Sequence, residues 1–325
     1  MSDLGRQVKY GLGKETVPGT PVAASTWVNQ LSFQLNPVND YINNESSFGV
    51  IERTNSSDIT NKRAEGSLEA KLTDKTGGLI LLGLFGSVTT SDNADSDASV
   101  KDHTFNINQD IDGQSLTLIR KDTVSTKAYS LARIGEWTLE MDIDDYVKVT
   151  ADIMARTGES TTATPAYVLE NEFVAKHFSV KVASTAAGLG AATAESTVES
   201  FSLTVNPNLE ADRAAGSVAP YGFSSRGYEM SFEMTCRYDN STFEDAYEDG
   251  TALALQVAAV NTDVTIGTAA NPSLTLTAPK FNITDWTRNE DMDGPVTQTF
   301  TGTIHYSPAD AYALRAVLVN TQASY

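Results

Sequence analysis

The sequence predicts a mainly β chain of two tandem β-sandwich domains, residues 1–163 and 164–325, each flanked by a short α-helix. Three observations carry this prediction. Short runs of alternating apolar and polar residues recur along the chain, as half-buried strands require. One hairpin is written twice. Glu136-Trp137-Thr138 opens a strand that turns at Asp144-Asp145 and returns to Ile153, and Asp285-Trp286-Thr287 opens one that turns at Asp291-Met292-Asp293-Gly294 and returns to Ile304. Landmarks also keep their order. Asn36-Pro37 matches Asn206-Pro207 (206 − 36 = 170), and Ser67-Leu68-Glu69 matches Ser231-Phe232-Glu233 (231 − 67 = 164). Trp137 matches Trp286 (286 − 137 = 149) and Ile153 matches Ile304 (304 − 153 = 151). The offset changes across loops, where a duplicated fold tolerates insertions.

Taken in order, residues 8–27 hold three glycines and two prolines and read as an irregular arm. Residues 28–35 read as a strand that stops at Asn36-Pro37, because proline gives no ladder N–H. Residues 40–66 are polar and weakly periodic, a long loop of the kind that is functional or orders on assembly. Residues 67–73 alternate as a strand. Residues 76–85 predict a helix with Leu79, Leu82 and Phe85 on one face and Gly86 as its stop. Residues 87–102 read as an acidic loop, 116–120 and 128–134 as strands, and the first Trp hairpin follows. Residues 157–165 are threonine-rich and read as a linker.

The second half repeats this order. A strand at 199–205 ends at Asn206-Pro207, a polar loop covers 208–227, and 231–237 alternates. Residues 241–247 predict a helix, with Ser241 or Thr242 as N-cap and Glu244-Asp245 where the helix dipole favours acids. Strands at 253–260 and 274–277 precede the second Trp hairpin. Residues 309–319 predict a closing helix that buries Tyr312, Leu314 and Leu318.

Composition narrows the function. Asp and Glu number 42 against 23 Lys and Arg, a formal charge of -19. That balance excludes a protein that grips nucleic acid through its phosphates, and it does not suit an anionic membrane surface. Cys236 is the single cysteine, so the chain has no internal disulfide and no cysteine zinc cluster. No signal-peptide core or membrane-length apolar run is visible, and synthesis in a cytoplasm is expected.

No constellation demands catalysis or a cofactor. His103, His177 and His305 fall in no motif. Gly11-Leu12-Gly13-Lys14-Glu15-Thr16 lacks the spacing of a phosphate loop and reads as a turn. Asn289-Glu290-Asp291-Met292-Asp293-Gly294 resembles the start of a calcium loop, but its twelfth position is Phe300, without the needed carboxylate. Asp92, Asp95, Asp97 and Asp102 read as a solvated loop, with a bound cation as the alternative. Cys236 shares an apolar face with Phe232 and Met234, as a buried thiol would.

The polar strand faces are more informative. Thr138, Glu140 and Asp142 share one face of the first hairpin, and Glu69 and Glu233 stand on matching strands. Thr299 and Thr301 alternate on the second return strand. Such faces either meet bulk water or, in several copies, line a water-filled channel.

The order of arm, strand, long loop, alternating strand, short helix and terminal strand pair resembles the tail tube proteins of tailed bacteriophages, especially those of long non-contractile tails. The arm from Tyr10-Gly11 through Glu15 to Pro18-Gly19-Thr20 resembles that group's N-terminal signature, as does a long loop ending at Gly66-Ser67-Leu68. The resemblance implies a non-enzymatic virion protein that stacks in rings, with inner strands lining the lumen and the long loop reaching a neighbouring ring. Glu69, Thr138, Glu140, Asp142, Glu233, Thr299 and Thr301 are then the candidate lumen residues. The implied partners are further copies of the chain, a tape-measure protein, tail terminator or tip proteins, and DNA that passes without specific binding. No membrane and no cofactor is implied. Most such proteins carry one tube domain and form rings of six. Two domains per chain point to a trimeric ring with pseudo-sixfold symmetry.

Two rivals come from other classes. A β-sandwich adhesin or baseplate-type binding module of a virion would carry the duplicated hairpin without polymerising. A carbohydrate-active enzyme would need paired carboxylates such as Glu140 and Asp142. These lie two apart on one strand face, with no reason for their pKa values to separate.

Overall fold

The fold, seen in a computed structural model, is described for residues 4–95 and 97–325. Residues 1–3, which open the first expected domain, and Ser96 of the expected acidic loop lie outside the described residues.

In chain order the elements begin with β1 (Lys9–Lys14), β2 (Thr26–Trp27), β3 (Gln30–Asn44) and β4 (Ser56–Lys71). Then come α1 (Thr76–Phe85), β5 (Gly86–Asp92), β6 (Lys101–Ile107), β7 (Leu116–Lys121), β8 (Thr126–Asp142), β9 (Lys148–Arg156) and β10 (Glu159–Ser160). The second half carries β11 (Phe178–Ala183), β12 (Val198–Asn206), β13 (Leu209–Asp212), β14 (Gly222–Ser225) and β15 (Glu229–Arg237). It ends with α2 (Thr242–Glu248), β16 (Leu253–Val260), β17 (Ser273–Asn289), β18 (Thr297–Ile304) and β19 (Arg315–Asn320). The chain is mainly β, as the sequence predicts, and among the described residues two of the three expected α-helices are present.

An antiparallel sheet in the order β3-β4-β9-β8-β12-β15-β18-β17 spans both halves. The long strands β8 and β17 each leave it. The N-terminal part of β8 pairs with β7 and β10 in a second layer that also holds β1 and β2. The N-terminal part of β17 pairs with β16 and β19. Both strands are irregular where they cross over, between Ile134 and Trp137 and between Ile283 and Asp285. Bulges of this kind let one strand serve two sheets. The core lies between the layers as one main cluster from Tyr10 to Leu318, with a small second group of Trp27, Ile119 and Ala128.

Pairings recur between the halves. Asn36 faces Glu65 and Asn206 faces Glu229, while Thr138 faces Thr150 and Thr287 faces Thr299. Packing varies within this pattern. Leu68 faces Ala151 in the first half, where the second half sets Phe232 against Gly302. A Cβ on Gly302 would run into the Phe232 ring, which also stands edge-on to Phe281 with centroids 4.9 Å apart.

Several expectations need correction. The glycine-bearing arm is in part a buried strand, since β1 pairs along its whole length with β7. The first expected strand does not stop at Pro37. β3 runs on to Asn44, and proline is tolerated because β3 pairs only with β4 and its other edge is open. The expected loop at 40–66 is mostly a long hairpin of β3 and β4, paired out to Asn44 and Ser56. The loop at 208–227 contains the hairpin β13–β14. The acidic loop is also a hairpin, β5–β6, paired from Gly86 with Ile107 to Asp92 with Lys101. The expected closing helix is the strand β19: Ala316, Leu318 and Asn320 are buried with period two, between β17 and β6.

The helix at Thr76–Phe85 matches its predicted bounds. Every residue in it is buried, because Gly77, Gly78 and Gly83 and the apolar residues give it no polar face. Gly86 ends it in the left-handed region at φ 80°, where glycine carries no Cβ penalty. At α2, Ser241 occupies the cap position, but its hydroxyl bonds the Asp245 carboxylate rather than a helix N–H.

Candidate functional site

Pairing alone fixes which side chains share a face, because residues directly opposite in a sheet point the same way. One row crosses seven strands through Lys71, Lys148, Glu140, Ser202, Glu233, Thr301 and Asp285. A second contains Glu69, Thr150, Thr138, Thr204, Ser231 and Thr303. A third contains Asp142, Ser200, Thr235, Thr299 and Thr287. All seven candidate residues, Glu69, Thr138, Glu140, Asp142, Glu233, Thr299 and Thr301, therefore stand on one face of one sheet. At a strand spacing of about 4.8 Å, eight strands span roughly 34 Å. The opposite face buries Leu68, Trp137, Leu139, Phe201, Leu203, Phe232, Met234 and Phe300.

Threonines fill the middle of the polar face. The hydroxyl oxygens of Thr138 and Thr204 are 3.2 Å apart, and those of Thr235 and Thr299 are 2.9 Å apart. These cross-strand pairs join β8 to β12 and β15 to β18. Sequence reading missed Ser200, Ser202, Thr235 and Asp285 as members of the face. Their signal is the register between strands, which one strand's alternation does not contain.

Charge on this face is unevenly compensated. Lys148 is held by Asp145 at 2.6 Å, and this bond raises its pKa above the ordinary lysine value. Lys71 lies 3.1 Å from Glu172, with its ammonium over the Tyr146 ring. Both cations are thus drawn to carboxylates outside the rows. Glu69, Glu140, Asp142 and Glu233 form no ion pair among the described residues. The face carries more acid than base: Glu69, Glu140, Asp142, Glu233 and Asp285 stand on it against Lys71, Lys148 and Arg237.

Other sequence candidates go elsewhere. The Gly11-Leu12-Gly13 stretch is buried within β1, and Asn289 through Gly294 forms the end and turn of the β17–β18 hairpin. His103 is buried between Thr90 and Asn320, and burial lowers its pKa. His177 sits 3.1 Å from Asp263, and His305 is exposed just beyond β18. The Cys236 thiol is buried, which pushes its pKa up to about 12. Glu140 and Asp142 are both exposed, so burial does not set one apart from the other as a catalytic acid.

The acidic turn is a structural tie. The Asp95 carboxylate accepts backbone N–H bonds from Asp97, Thr268, Ala269 and Ala270 at 2.6–3.1 Å. These bonds hold it well below the usual carboxylate range. The first half's β5–β6 turn is thereby fastened to a turn of the second half. Buried Glu15 plays a similar part for the N-terminal segment. It accepts from Ser115 and Thr117 hydroxyls at 2.7 and 2.8 Å and from the Leu131 N–H at 2.9 Å.

Among the described residues no group of three His, Cys, Asp or Glu is placed to hold a metal ion, and no helix is long and apolar enough to cross a membrane. A family model described as phage tail tube protein matches residues 5–306. No curated protein matches the chain.

Proposed function

The chain belongs to the phage tail tube protein family, a structural component of the virion tail, and on that premise we propose that its eight-stranded sheet forms part of the wall of a DNA-conducting bore. The carrying observation is the shared acidic and threonine-rich face. A conduit must not retain its cargo. Carboxylates repel phosphates over about a Debye length, roughly 8 Å at physiological salt, and the threonines offer hydration without positive charge.

Each half of the chain acts as one tube domain, divided near residue 163, and three chains make a pseudo-sixfold ring. The recurring pairings support two equivalent units, since β3-β4-β9-β8 and β12-β15-β18-β17 follow one order. The β3–β4 hairpin supports ring stacking. It runs on past the last β4–β9 pair, Arg63 with Arg156, to Ser56, roughly 20 Å of further strand. Its tip exposes Phe48, Val50 and Ile51, an apolar group suited to a neighbouring ring. The tape-measure protein occupies the bore before ejection, and terminator and tip proteins close its ends. The chain is made in the host cytoplasm and acts without enzymatic chemistry.

Negative-stain microscopy of concentrated protein tests the reading. Hollow tubes or three-fold rings are expected, and a monomer that never polymerises, even with the tape-measure protein present, refutes it. Glu140→Lys and Glu233→Lys should leave tubes intact and slow DNA ejection. Unchanged ejection kinetics would remove both residues from the bore.

A further inference from the structure

The eight-stranded sheet contains one finished seam between its halves and leaves two edges unfinished. At the seam, β8 pairs with β12: Trp137 faces Val205, Thr138 faces Thr204, and Glu140 faces Ser202. The ladder ends where Asn206-Pro207 follows, and the Asn206 amide donates to the Glu136 carboxylate at 3.1 Å. Among the described residues the free edges are those of β3, which pairs only with β4, and of the C-terminal part of β17, which pairs only with β18.

These two edges are the counterparts of the two strands at the seam. β17 holds β18 in the register in which β8 holds β9, offset throughout by 149 residues. β3 holds β4 as β12 holds β15, with Asn36-Pro37 at the position of Asn206-Pro207. The edges also have unsatisfied apolar surface. Leu31 is 48% exposed, and Phe33 and Trp286 are only partly buried.

We infer that the C-terminal part of β17 in one chain pairs antiparallel with β3 of a second copy, in the register of the internal seam: Trp286 with Leu35, Thr287 with Gln34, and Asn289 with Ser32. Asn36 then meets Asp285, as Asn206 meets Glu136. Pro37 falls just past the ladder, as Pro207 does. The register is not trivial, because the middle pairings of the halves differ by two residues. Ser67 faces Asp152 whereas Ser231 faces Thr303, a step of 151 rather than 149. Carrying that difference into the new seam would set Thr287 against Asn36. It would also place Pro37 opposite Trp286, inside the ladder, where proline removes a donor. Proline therefore rules out that shift. This pairing rests on the tube reading and supplies its lateral contact.

Paired cysteines test it. The Thr138 and Thr204 hydroxyls nearly touch, so cysteines at the matching positions of the new seam lie within disulfide reach. Thr287→Cys with Gln34→Cys should give covalent multimers on oxidation, and neither single substitution should do so. Native Cys236 is buried and stays silent. Multimers from Thr287→Cys with Asn36→Cys, and not from the first pair, overturn the register. Rings seen by microscopy that neither pair crosslinks overturn the strand pairing and leave the tube role standing. A wild-type chain that forms no ring or tube overturns both. A second variant, Asn36→Asp, sets like charges against Asp285. It should raise the protein concentration needed for rings at least several-fold without moving the monomer's melting temperature. An unchanged ring threshold removes that contact.

Discussion

Two strands of matching register differ in what lies beside them: β8 pairs with β12, and the C-terminal part of β17 has an open edge. At the closed seam Trp137 is 1% exposed, and Phe201 and Leu203 are buried beside it. At the open edges Trp286 is only partly buried, its indole N–H satisfied by Gln298 at 3.1 Å. Trp137 has a paired strand on both sides and shares its face with Leu139 and Met141, whereas Trp286 has a strand on one side and shares its face with Arg288. Burial here follows both from the adjoining strand and from the hairpin's own face residues.

The largest effect should come from the closed seam. Trp137→Ala should cost about 3–5 kcal/mol in a denaturant melt, because the ring is enclosed on all sides. Trp286→Ala should cost the isolated chain about 1–2 kcal/mol, for a partly buried ring and one hydrogen bond to a buried glutamine. Equal losses would break the comparison. Thr204→Val removes a hydroxyl partner at the closed seam and should cost about 0.5–1.5 kcal/mol. Thr287 holds at the open edge the place that Thr138, the partner of Thr204, holds at the closed seam, and Thr287→Val should change the isolated chain by less than about 0.5 kcal/mol. A Thr287→Val loss as large as that of Thr204→Val would mean that β17 is already covered in the monomer.

The smallest effect is local and depends on pH. Backbone N–H bonds depress the folded pKa of Asp95, that of Asp97 foremost and then those of Ala269, Thr268 and Ala270. An unfolded carboxylate titrates near 3.9. The stabilisation is therefore complete above about pH 4 and is lost as pH falls through the lower folded value. Hydrogen exchange at Ala269 and Ala270 should quicken over that window and in Asp95→Asn at neutral pH. Protection that persists in both cases would show that the tie does not hold the turn.

Much of this was legible in the sequence, and the limits have physical causes. Alternation located β15 and the paired strands β8–β9 and β17–β18, because one face of each meets the core and the other meets water. It failed for residues 40–66. The β3–β4 hairpin extends beyond the second layer, so no buried face imposes a period on it. It failed at 309–319, where Leu314 and Leu318 suggested a helical face, yet β19 buries Ala316, Leu318 and Asn320 between two strands. The candidate face was legible strand by strand. Its extent was not, because Ser202 and Glu233 become neighbours of Glu140 only through pairings between distant segments.

The β5–β6 hairpin sets an order of events for the newly made chain. β6 belongs to the first half, yet its outer edge is completed by β19. Its buried His103 is satisfied by Asn320, 217 residues downstream. Until that distant strand arrives, the first half has an uncovered strand edge and an imidazole bonded through Nδ1 to Thr90 but not through Nε2. Contacts at this separation form late and slowly. Translation must therefore pass through nearly the whole chain before either half can close, and the two halves mature together rather than one after the other.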